Sequence, residues 1–168
     1  MVKTAGSLAL VGMLLATTPA WSADEPVRSS DHWVLAAIED GKARSTTFSG
    51  LVARLTASDA VVYVEAGLRL PAGLVGYLDH EVKAAGDFRY VRVVVDASLE
   101  HDRLIAVIAH ELQHAVEVAG APDARSSAGV SAVFRNINGG RCLRPLNCAE
   151  TEGALRVQDA VSAELRKR

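Results

Sequence analysis

The stretch from Leu104 to Val118 constrains this chain most, because it is almost continuously apolar yet holds His110-Glu111-Leu112-Gln113-His114 at its middle. Leu104, Val107, Ile108, Glu111, Ala115 and Val118 recur at helical spacing, which predicts a helix buried in a core. Ser98 is the expected N-cap, Glu100 and Asp102 put negative charge in the first turn, and Gly120 with Pro122 ends the run. On such a helix His110 and His114 lie one turn apart on one face and can point at a single cation. Polar side chains on a buried face are costly unless something satisfies them, and a metal ion does so. Zinc accepts imidazole nitrogens and, in catalytic sites, keeps one of four positions open for water. Glu111 stands beside that position, suited to take a proton from water and hand it to a leaving amine.

Residues 1–22 carry Lys3, an apolar run from Leu8 to Ala16, and small residues at Ala20 and Ser22, which predicts a secretory signal peptide cleaved after Ser22. The run is too short to remain as a membrane span. Residues 23–168 are then a single domain, secreted or periplasmic, large enough to bury its own core. Loss of Lys3 leaves 17 basic against 20 acidic side chains, a balance that points away from nucleic acid as a partner. No further membrane span is expected after signal cleavage.

Trp33 to Ile38 predicts a short helix ending at Gly41, and Phe48, Leu51, Val52 and Leu55 predict a second that stops near Ser58-Asp59. Val61 to Val64, Leu74 to Leu78 and Tyr90 to Val95 read as three strands, the last the strongest. Val130, Val133, Phe134 and Ile137 suggest a short helix before Asn138-Gly139-Gly140. Elements in this order give an α+β fold. Cys142 and Cys148, the only cysteines, are expected to pair in an exported protein, stabilising it by roughly 2 kcal/mol in the chain-entropy model. In the last helix Ala154, Val157, Val161 and Leu165 form an apolar stripe. Glu150, four residues before Ala154, falls on that stripe and faces inward, whereas Glu152 turns toward Arg156 and solvent. His32, His80, Glu81 and His101 fall at no ligand spacing and read as surface residues.

The His110-to-His114 pentapeptide resembles the active-site helix of the zincin metallopeptidases. That resemblance implies His110 and His114 as zinc ligands and Glu111 as catalytic base. The third ligand separates the clans. Metzincins need a glycine at 117 and a histidine at 120, where this chain has Glu117 and Gly120, so that clan is excluded. Asp123 is available for the aspzincin pattern, but the glycine-threonine signature is missing. Glu150 fits the gluzincin pattern, with Glu152, Glu117 and Asp123 remaining as alternatives. Glu117 is read as supporting the ligands or facing solvent, because three ligands along one straight helix surround an ion poorly.

The resemblance implies a small zincin-like domain: a short twisted sheet packed on the metal helix, an edge strand that holds extended substrate, and a C-terminal helix carrying the third ligand. The activity implied is hydrolysis of peptide bonds in a peptide or protein substrate. An exported zinc-binding structural or interaction module without significant hydrolysis is the alternative. Many gluzincins place a tyrosine or histidine after the metal helix to stabilise the oxyanion, and no His or Tyr follows His114 here. Arg135, Asn136, Asn138, Arg141, Arg144 or an upstream tyrosine are the candidates to replace it.

Overall fold

The computed structural model describes residues 25–71, 73–142 and 148–167. The predicted signal peptide lies outside the described residues. In chain order the elements are β1 (Val27–Arg28), α1 (His32–Arg44), α2 (Thr46–Thr56), β2 (Ala60–Gly67), β3 (Gly76–Leu78), β4 (Lys83–Ala85), β5 (Phe88–Asp96), α3 (His101–Ala119), α4 (Ser127–Ile137) and α5 (Glu152–Leu165). The fold is α+β, with five helices and one mixed sheet among the described residues. The sheet order is β1-β2-β5-β3, with β4 also on β5. β1, β2 and β5 run parallel, and β3 and β4 pair antiparallel with successive parts of β5.

Alternation in the two long strands determines which face is covered. Val62 and Val64 of β2 stand opposite Val91 and Val93 of β5, and with Val95 they form the buried face. α3 packs on that face and also against α1, α2 and α5. That placement explains why α3 is buried on nearly every side, from Leu104 through Val118. Each fully buried valine or leucine stabilises the fold by about 1.5–3 kcal/mol relative to exposure. β3 forms an outer edge of the sheet beside α3.

Several predicted boundaries move. α1 continues past Gly41 to Arg44. Gly41 is a place of close approach: a Cβ there would lie 2.9 Å from the Phe48 ring and 3.0 Å from Ile105. α3 begins at His101 with Glu100 as its N-cap, while Ser98 instead bonds Asp96 through both its amide and its hydroxyl. The second strand contracts to Gly76–Leu78. β1 and β4 were not expected: β1 has only two residues, and Lys83-Ala84-Ala85 is exposed and lacks β-branched side chains.

The C-terminus of α3 is closed by a residue from the sheet. Arg89, 1% exposed, donates to the carbonyls of Val118, Ala119 and Ala121 and makes a two-pronged pair with Asp59. Asp59 is 30% exposed, so the main loss on removing Arg89 is the stranding of buried carbonyls at the end of α3, about 1–3 kcal/mol. Arg89→Ala should lower stability by that order in denaturant titration. The hydrogen bonds of Arg89 hold the Asp59 carboxyl below its ordinary pKa of 3.8, against the opposing effect of burial. The resulting stabilisation is present above pH 3.8 and fades as pH falls through the lowered folded value. Asp59→Asn should therefore weaken the fold at neutral pH and flatten the acid limb of its pH–stability curve.

Candidate metal centre

Two elements bring the donor atoms together. α3 presents His110 and His114 from successive turns, and the segment entering α5 supplies Glu150. All three are buried, and their ligand atoms lie within 4.8 Å of one another. His110 Nε2 is 3.2 Å from His114 Nε2 and 3.2 Å from Glu150 Oε1, while His114 Nε2 is 4.0 Å from that oxygen. Donors bound to zinc at 2.0–2.1 Å in a tetrahedron would sit about 3.3 Å apart, so two edges match and the third is slightly long. Two imidazoles and a carboxylate suit such a cation, and the set fits.

Glu150 reaches this point by a different route from the one expected. It is not in α5: Thr151 is the N-cap, its hydroxyl accepting from the Ala154 amide at 3.1 Å, and Glu150 precedes it in non-helical backbone. Asn138, at the end of α4, holds this backbone by donating to the carbonyls of Cys148 (3.2 Å) and Glu150 (2.9 Å). The expected disulfide joins Cys142 to Cys148 in the same segment. Glu152 is exposed and pairs with Arg156, and Asp123 is exposed on the loop after α3. Neither belongs to the buried donor group.

Glu117 is largely buried and meets His114 on the side away from Glu150. Its Oε2 lies 3.1 Å from His114 Nδ1, which directs the other ring nitrogen, Nε2, toward Glu150. Gln113 and Thr151 donate to Glu117 Oε1 at 3.0 and 2.9 Å. Burial opposes ionisation of Glu117, but the hydrogen bonds from His114 and Gln113 prevail and keep its pKa below the ordinary value. Burial alone would depress His110, yet its hydrogen bond to Glu150 and the charges of Glu111 and Glu150 raise it.

Glu111 lies beside the donors on the sheet side. Burial pushes its carboxyl above the usual range, with His114 and His110 pulling the other way. β3 comes so close here that a Cβ on Gly76 would stand 2.8 Å from Val107 and 3.1 Å from Glu111 Oε1. Glu111 and His114 open onto a cavity of about 180 Å³ walled by Pro71, Leu74, Leu78 and Phe134.

His80 also lines this cavity, contrary to its reading as a surface residue. Its Nδ1 is 3.1 Å from Ser131 Oγ, and its ring lies 5.5 Å from that of Phe134. Phe134 meets His114 edge-on at 5.2 Å. Burial depresses the His80 pKa. Spacing along the chain gives no sign of this residue, because 30 positions and two strands separate it from His110. His101 is exposed and pairs with Asp40, as a surface histidine should. Of the proposed oxyanion donors, Arg135, Asn136 and Arg141 are exposed and Asn138 is committed to backbone carbonyls; Arg144 lies outside the described residues. Comparison with protein-family models, with curated proteins and with solved structures finds no match to this chain.

Proposed function

We propose that this chain is an exported zinc metallopeptidase of the gluzincin type, hydrolysing peptide bonds in a peptide or protein substrate. The observation that carries the reading is the convergence of buried His110, His114 and Glu150 beside a buried Glu111 that faces an open cavity. A purely structural metal site has no need of that fourth, uncoordinated carboxylate. The zincin-like arrangement is supported by the mixed sheet lying against α3 with β3 as its edge next to Glu111. Export is consistent with the Cys142–Cys148 disulfide, which persists in oxidising compartments.

His110, His114 and Glu150 would hold the zinc, which when bound would supply Lewis acidity and make a water more acidic. Glu111, buried beside those donors, is placed to accept a proton from the attacking water and to return it to the departing amine nitrogen. Burial raises its pKa, which makes the carboxylate a stronger base toward the water proton. Glu117 keeps His114 in the required tautomer. The free edge of β3 can align an extended substrate by main-chain hydrogen bonds, and the cavity walls accept one small apolar side chain.

Elemental analysis of the purified mature protein should find one zinc per chain. A peptide-library digest should show cleavage that a chelator stops and added zinc restores. Absence of zinc after reconstitution would overturn the metal centre, and bound zinc without cleavage of any peptide would favour a structural module.

A further inference from the structure

We propose that His80 is a further catalytic residue of this site, donating a hydrogen bond through Nε2 to the oxygen that becomes charged when the amide carbonyl is attacked. The inference rests on the hydrolytic reading above. Attack forms a carbon–oxygen bond and moves the carbonyl π pair onto oxygen. Collapse returns that pair and expels the nitrogen, which takes the proton held by Glu111. His80 gives up no proton in either step, so its part is electrostatic.

A donor aimed at that oxygen must line the same cavity as Glu111 and His114. Among the described residues, the polar ones that line it are Tyr77, His80, Glu111 and His114. Glu111 is engaged with the proton, and His114 spends one nitrogen on Glu117 and turns the other to the donor group. Tyr77 alternates with the inward-facing Gly76 and Leu78 and lies in the field of Arg92, toward the other face of the sheet. His80 remains.

Its surroundings define how it acts. Ser131 Oγ stands 3.1 Å from Nδ1, and a hydroxyl donating there leaves the ring proton on Nε2. Burial keeps the imidazole neutral near pH 7, so it donates as a neutral N–H. Phe134 packs against both imidazoles, its ring 5.5 Å from that of His80 and 5.2 Å from that of His114. His80 is not among the donors that would hold the ion. Ser131 and Phe134 are thus positioning residues.

The test uses the zinc-loaded mature protein and its variants His80→Ala, His80→Gln and Ser131→Ala. Kinetics on a cleaved peptide are paired with calorimetric binding of a phosphinic peptide, whose tetrahedral oxygens mimic the charged intermediate. Removal of one such donor costs about 10²–10³-fold in kcat. His80→Ala should lose turnover by that factor with KM little changed, and should bind the phosphinic peptide at least tenfold more weakly while retaining zinc. His80→Gln, which keeps an N–H donor, should recover part of both, and Ser131→Ala should show a smaller loss of the same kind. Unchanged kcat and phosphinic-peptide affinity in His80→Ala would overturn the assignment while leaving the peptidase reading intact. Loss of zinc from His80→Ala would overturn it too, by making His80 a ligand. A wild-type protein that cleaves nothing would remove the hydrolytic reading and this inference together.

Discussion

Glu111→Gln should eliminate most turnover and leave zinc in place. The carboxylate sits beside the donor atoms and is not one of them, so its replacement by an amide of the same shape removes proton transfer without removing a ligand. General acid–base groups contribute about 10²–10⁴-fold, and kcat should fall within that range. Zinc stoichiometry should be unchanged. Thermal stability should hold or rise, because burial opposes the charge on Glu111 and the amide carries none. Stopped-time peptide assays and elemental analysis on one preparation check all three. Turnover at the wild-type rate would exclude Glu111 as the base.

Glu150→Ala and His114→Ala should each lower zinc affinity by more than about 100-fold. The scale comes from residues that only orient ligands, whose loss costs about 10–100-fold. Glu117→Ala is the internal standard for that smaller effect, because Glu117 touches His114 at Nδ1, the nitrogen turned away from Glu150. The expected order of zinc affinity is wild type, then Glu117→Ala, then the two ligand variants. Competition with a chromogenic chelator measures it. Glu152→Ala should match wild type, since its side chain is exposed and bound to Arg156. A larger loss in Glu152→Ala than in Glu150→Ala would reverse the ligand assignment.

The helix α3 was legible in the sequence because its information is local. A spacing of four residues on a helix determines that His110 and His114 share a face, whatever surrounds them. The strand β5 was legible for the same reason, as a β-branched run, while its buried face came only from the structure. Glu150 was found by a periodicity that the structure does not use. The expected inward direction is correct, yet the residue precedes Thr151 and owes its direction to the backbone that Asn138 holds at Cys148 and Glu150. β1 and β4 escaped because two or three residues cannot display a period.

By itself the sequence determined the α+β order of elements, the pair of histidines with the glutamate between them, and the two cysteines available to pair. Tertiary structure decided what those residues meet. Only packing of β3 against α3 brings His80 to the cavity of Glu111 and His114, and only the bare Cα of Gly76 permits that approach. Only the register of β5 carries Arg89 to the end of α3. Helical and strand periods record contacts within a few residues of the chain. A site assembled from a helix, an edge strand and a clamped loop depends on long-range burial, which has no period to read.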